Sequence, residues 1–209
     1  MFKMFKSDRK IEIKQHIPFL IYFVLITIFS VWFYQISKII AENNLQVGVA
    51  IPFIPGFIDF LLTYNLGAAW GMGDGQIWSR VLLCITSWLV ALFIPCYLVY
   101  RFVKNQKITP LLGVSIALIF GGDIGNLIDR TFFFNRGVID FISIQSWFPG
   151  FGIFNIADSC LVVGIFILFL YYILEEFKNA KAERERNIQL LKEKENSSEV
   201  VSSEKNKDE

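Results

Sequence analysis

Histidine occurs once in this chain of 209 residues, at His16, and the three cysteines, Cys84, Cys96 and Cys160, stand apart in apolar runs. These scarcities argue against a Ser-His-Asp triad, a histidine zinc site, a disulfide framework and a CxxC redox motif. Lysine and arginine are missing altogether between Glu42 and Ser79. Internal repeats are missing too, including the inverted halves that many transporters carry. What fills the chain is apolar: 54% of residues are hydrophobic and 16% aromatic, and mean hydropathy is +0.49. A soluble domain of this length cannot hide so much apolar surface, so the composition implies a polytopic membrane protein. No cofactor, metal centre or nucleic-acid partner is expected.

Four apolar runs are long enough to cross a hydrocarbon core of ~30 Å, which takes roughly 20 helical residues. They cover about 17–41, 78–100, 108–128 and 151–174. The first is too long, and too poor in small residues at its end, for a removable signal peptide. Residues 1–16 then form a basic leader, 17–174 the membrane domain and 175–209 a charged tail. Basic residues cluster at Lys3, Lys6, Arg9, Lys10 and Lys14, at Arg101, Lys104 and Lys107, and from Lys178 onward. By the positive-inside rule both termini and the middle loop are cytoplasmic. Residues 44–73 alternate β-branched and aromatic side chains with Gly and Pro, the pattern of short strands on the outer membrane face. The expected fold is a polytopic α-helical membrane protein, four transmembrane helices with a small extracytoplasmic β-sheet between helices 1 and 2.

Polar residues inside apolar runs carry the functional reading. The third span ends "GGDIGNLIDR" (121–130). Gly121, Gly122 and Gly125 allow close approach of another backbone, and Asn126 and Arg130, four apart, are expected to share a helix face with Asp129 nearby. The fourth run opens "FNIADS" (154–159), with Asn155 and Asp158 three apart. An ionised carboxylate there costs at least ~2.5 kcal/mol unless paired or wetted. Asp140 lies in "GVIDFI" (137–142), too apolar to sit free in water. A loop dipping back to the membrane would set Asp140 beside Asp158. Two carboxyls around one water do not both ionise easily, so one draws a proton from water while the other polarises a carbonyl. That is aspartic-protease chemistry. A packing seam with an interfacial Asp129–Arg130 pair, a cation transporter and a chaperone for lipidated peptides are the competing readings. A presenilin-type protease needs Gly-x-Gly-Asp, and "FGGD" (120–123) lacks the first glycine.

"YNLGAAWG" (64–71), "GGDIGNLIDR", "GVIDFI" and "FNIADS", in that order, resemble the motifs of lipoprotein signal peptidase, the bacterial type II signal peptidase. The resemblance implies a membrane aspartic endopeptidase that cuts diacylglyceryl-modified prolipoproteins before the lipidated cysteine, with membrane lipids as its surroundings. It places the catalytic pair on Asp140 and Asp158, and supporting or substrate-binding roles on Asn65, Gly67, Asn126, Asp129, Arg130 and Asn155. It further implies a monomer in the bacterial cell membrane, its site near the outer face, inhibited by cyclic peptide antibiotics such as globomycin. Two departures stand out. "YQISK" (34–38) carries Tyr34 where the family usually has Asp, and the loop from Arg130 to Asp140 is slightly long.

Overall fold

The computed structural model describes residues 13–67 and 76–205. In order they form α1 (Ile13–Asn44), β1 (Ala50–Ile54), β2 (Ile58–Asn65), α2 (Ile77–Val103), α3 (Pro110–Phe132), β3 (Val138–Ser143) and α4 (Ile156–Lys205). All four helices are long and apolar enough to cross a membrane. Hydrocarbon offers no water to bare amides, and helices satisfy those groups internally.

The chain divides into two compact units, Met1–Leu168 and Phe169–Glu209. In the first, α3 is the central helix, packed on α1 and α2 and buried along most of its length. Its start is specified locally: the Thr109 hydroxyl caps Leu112 N–H at 3.3 Å and Pro110 takes the first turn. Small residues set its distance from α4. A Cβ at Gly122 would lie 2.6 Å from the Ala157 carbonyl oxygen, so only glycine permits this approach. Leu25, Phe29, Leu92, Phe93, Val162 and Phe166 all face outward. Such apolar exteriors fit lipid and not water. In the second unit the helix continues to Lys205, with exposed Lys178–Glu175 and Lys181–Glu185 pairs at 2.9 and 4.0 Å.

The sheet is antiparallel in the order β1-β2-β3. Two strands lie between α1 and α2, and the third comes from the segment between α3 and α4. This segment, expected to be a loop, carries a strand because its residues pair with Ile58–Asn65. Strand β3 pairs Val138 with Asn65, Asp140 with Thr63 and Ser143 with Asp59. Gly137 makes the entrance to β3 possible: its φ is +85°, and a Cβ would lie 2.5 Å from the Asn65 carbonyl oxygen. The fourth helix also starts later than its apolar run. Residues 151–155 are not helical, because Phe154 exchanges backbone hydrogen bonds with Ile142 at 2.8 and 3.0 Å. This bridge ties the start of α4 to β3.

Candidate active site

Strand alternation explains how an acid comes to sit in an apolar strand. Ile139 and Phe141 pack with Ala41 and Leu62 in one cluster, so Asp140 between them points the other way, 2% exposed. The Asp140–Thr63 register places Asn65 on the diagonal, and its Nδ2 donates to Asp140 Oδ2 at 2.9 Å. The Gly67 N–H donates to Asn65 Oδ1 at 3.0 Å. That Asx turn decides which end of the amide faces Asp140.

Asp158 is tolerated for a different reason. Asn155 caps α4 and Asp158 is the third residue inside it, forming a reciprocal capping box. Asp158 N–H donates to Asn155 Oδ1 at 3.1 Å, and Asn155 N–H donates to Asp158 Oδ2 at 2.9 Å. The helix dipole favours an anion in this first turn. The remaining oxygen, Oδ1, accepts from Asn126 Nδ2 at 2.7 Å.

Asn155 joins the two acids. Its Nδ2 donates to Asp140 Oδ1 at 2.7 Å and lies within 3.1 Å of Asn126 Oδ1 and 3.2 Å of the Ile139 carbonyl. Beneath this clasp lies Lys38, 1% exposed. Its Nζ donates to Asn126 Oδ1 and Asp129 Oδ2, both at 2.8 Å, and to the Gly125 carbonyl at 3.1 Å. An ammonium has three protons, and all three are used. Gln35 Nε2 donates to the same carbonyl at 2.7 Å. Asp129 also accepts from Ile139 N–H at 3.4 Å and has Arg136 at 3.8 Å. It therefore supports Lys38 and β3 without touching either acid. Burial, and next the charge on Asp158, push the Asp140 carboxyl up to about 7, against the opposing pull of Asn65, Asn155 and Lys38.

Arg130 does not join this group. Its Nη1 donates to Ser87 Oγ on α2 at 3.4 Å, and it lines a cleft with Asn65, Leu66, Gly67, Arg80, Leu83, Phe134 and Gly137. The expectation that Asn126 and Arg130 share one face is thus corrected. At about 100° per residue they differ by about 40°, enough for one to meet α4 and the other α2. Asp123 also faces Ser87 and Arg130. Tyr34 is buried against Gly125, where a Cβ would come 2.9 Å from its ring, and its hydroxyl sits by Ser30 and Cys160. Among the described residues no cluster of His, Cys, Asp and Glu has metal-holding geometry.

The family model for signal peptidase (SPase) II matches residues 7–174. The chain belongs to the signal peptidase II family. Two solved structures, each described as a bacterial membrane enzyme obtained by the in meso method, share its fold. One aligns with a TM-score of 0.62 at 31% identity, covering 74% of this chain and 89% of its own. The other gives 0.59 at 32% identity, covering 72% and 92%. The protein is thus a multi-pass membrane peptidase with a lipoprotein signal peptidase role, and the family implies prolipoprotein substrates and membrane lipids.

Sequence reasoning left Lys38 out of the candidate residues of this peptidase, although it noted the residue in "YQISK". The signal was there: a lone lysine inside an apolar span needs a buried anion. The capping box was also legible, since Asn-x-x-Asp precedes an apolar helical run at 155–158.

Proposed function

We propose that this peptidase is an aspartic endopeptidase that cleaves diacylglyceryl-modified prolipoproteins immediately before the lipidated cysteine. The observation that carries the reading is the attachment of Asp140 and Asp158 to one residue, Asn155, by side chain and backbone respectively. A water between the two carboxyls loses a proton to Asp158 as its oxygen attacks the scissile carbonyl. Asp140, which holds its proton because burial and Asp158 oppose its charge, donates to the carbonyl oxygen. The tetrahedral intermediate then collapses: one hydroxyl returns its proton to Asp140 as the C=O bond re-forms, the C–N bond breaks, and the leaving amine takes the proton from Asp158. Asn65, Asn126 and Asn155 hold the acids in place, and Lys38 with Asp129 fixes Asn126 from below.

The distribution of basic residues supports cytoplasmic termini and a site at the outer face. There the substrate's acyl chains stay in the bilayer while its peptide meets the sheet. Residues 17–174 then form the catalytic domain, between a basic leader at 1–16 and a cytoplasmic tail at 175–209. Such an enzyme works as a monomer and is inhibited by cyclic peptides such as globomycin. The deciding experiment incubates purified protein with a diacylglyceryl-modified prolipoprotein and with its unmodified form. Release of signal peptide from the modified form only is expected. No release, or equal release from both, would refute the reading.

A further inference from the structure

Three arginines lie near the outward ends of the helices: Arg80 in the first turn of α2, Arg130 in the last turn of α3, and Arg136 just before β3. Arg136 is accounted for, with both Glu42 oxygens at 3.2 Å and the Phe133 ring beneath its guanidinium at 4.0 Å. The other two share the walls of one cleft. Among the described residues neither makes an ion pair within 4.0 Å. Arg80 Nε, like Arg136 Nε, is buried without a hydrogen-bond partner, but unlike Arg136 it has no described carboxylate near it. Arg130 has its 3.4 Å contact with Ser87, and Asp123 stands behind it. The remaining described lining, Asn65, Leu66, Gly67, Leu83, Phe134 and Gly137, is uncharged. Two guanidiniums facing one low-dielectric space repel each other unless an anion lies between them.

The cleft has about 20 Å³ of free space, room for a water-sized group such as a carboxylate oxygen. Asn65 links it to the acids, since this residue lines the cleft while its Nδ2 bonds Asp140. Hydrolysis makes a new anion at that place. One water and one peptide bond become an α-carboxylic acid on the signal peptide and an amine on the lipidated cysteine. The acid, with a pKa of about 3.3–3.7, gives up its proton at neutral pH. The new carboxylate then faces the charged Asp158, which repels it.

From this arrangement we infer that Arg80 and Arg130 form a product site that takes the new C-terminal carboxylate of the cleaved signal peptide, drawing it off the two aspartates. The inference rests on the peptidase reading and adds the fate of the product to it. Guanidinium suits the role because its planar donors match a carboxylate edge. The same oxyanion chemistry would suit a lipid phosphate, which the test separates.

The test uses full-length protein in a phosphate-free, non-ionic detergent and a labelled peptide ending at the residue before the cysteine. The peptide is supplied as free acid and as C-terminal amide, and binding is read directly by anisotropy, so the result does not depend on turnover. The acid should bind roughly tenfold more tightly than the amide. That ratio should fall toward one in Arg80→Gln and in Arg130→Gln, survive in part in Arg80→Lys, and shrink at high salt. Comparing acid with amide inside each variant removes any general loss of fold. A ratio near one in the unmodified protein, or an undiminished ratio in both glutamine variants, overturns the proposal. So does a ratio near one together with Arg80-dependent tightening by added anionic phospholipid, which would assign the cleft to lipid phosphate. Failure of the peptidase reading is distinct: the lipidated prolipoprotein would go uncleaved whatever the peptides did.

Discussion

Helix α3 carries polar residues on two neighbouring faces, and they live under different rules. The face toward α1 and α4 holds Asn126 and Asp129, each 1% exposed, and its polar atoms have close partners except Asp129 Oδ1, which has only Arg136 at 3.8 Å. The face toward α2 holds Asp123 and Arg130, which share Ser87; the Arg130–Ser87 bond is 3.4 Å long and Asp123 Oδ2 is buried without a partner. Both faces come from the same ten residues, "GGDIGNLIDR". The first is closed and shaped for holding two acids in fixed places. The second is loosely bonded and borders open space. Polarity inside a membrane span thus indicates function without saying which function; the degree of hydrogen-bond saturation separates a rigid reaction centre from a surface left free to bind.

The comparison breaks most easily at the acids. Asp140→Asn and Asp158→Asn should each lower turnover of a lipidated prolipoprotein by at least about 10³-fold, and the double variant should be no worse, because residues acting as one unit are not additive. Asp123→Asn, on the other face, should retain turnover within severalfold. Substantial turnover in either single variant of the pair, or abolition by Asp123→Asn alone, would reverse the roles given to the two faces.

Next in size is the buried lysine. Lys38→Met fills similar volume but removes the cation 2.8 Å from Asp129 and leaves it only Arg136, at 3.8 Å. Breaking such a pair by removing one partner costs about 3–5 kcal/mol. Thermal unfolding in detergent should show that loss, and turnover should fall as Asn126 loses the Nζ bond to its Oδ1. Replacing both partners, as Lys38→Met with Asp129→Leu, should restore much of the stability. If the single variant melts with the parent, the clasp under the acids is not held by charge.

This network marks the limit of what the sequence alone made legible. Span number, the strands between α1 and α2 and the apolar setting of both acids follow from hydropathy, alternation and a rare carboxylate in apolar surroundings. Which helix faces would meet did not follow. Asn126 and Arg130 are four apart and were grouped together, yet interhelical packing parts them. That packing depends on Gly122 and Gly125 admitting Ala157 and Tyr34 closely, a pairing that no local pattern records. Strand β3 was hidden for a related reason: its six residues pair with Ile58–Asn65, a partner on the far side of two helices in sequence.

A pH series sharpens the contrast further. The Asp140 carboxyl is pushed up to about 7, above the usual ~3.9 for an aspartic acid. Below that point it keeps the proton the reaction needs; above it, turnover should fall about tenfold per pH unit. Stability has the same sign. Between about pH 4 and 7 the folded chain holds a proton that the unfolded chain has released, so raising pH through that window destabilises the fold. The unfolding midpoint of Asp140→Asn should lack this dependence. An alkaline limb unchanged near 7, or the same pH-dependent melting in Asp140→Asn, would place the controlling group elsewhere.

The smallest expected effect concerns Tyr34, which stands where the resemblance to the family leads one to expect an aspartate. Tyr34 lies on the closed side of α3, 2% exposed and packed on Gly125. Its hydroxyl is directed to Ser30 and Cys160 rather than to either acid. Removing that oxygen keeps the ring that fills the seam between α1, α3 and α4, and forfeits a hydrogen bond worth about 0.5–1.5 kcal/mol. Tyr34→Phe should therefore lower the melting temperature slightly and leave turnover within about twofold, a range consistent with one lost bond remote from the chemistry. Tyr34→Ala would empty the seam beside Gly125, and a buried aromatic truncated to alanine costs about 3–5 kcal/mol. The two variants together separate a packing role from a chemical one. If Tyr34→Phe lost turnover strongly at an unchanged melting temperature, the phenol would belong to the reaction centre, and the closed face would extend one helical turn further along α1 than its hydrogen bonds show.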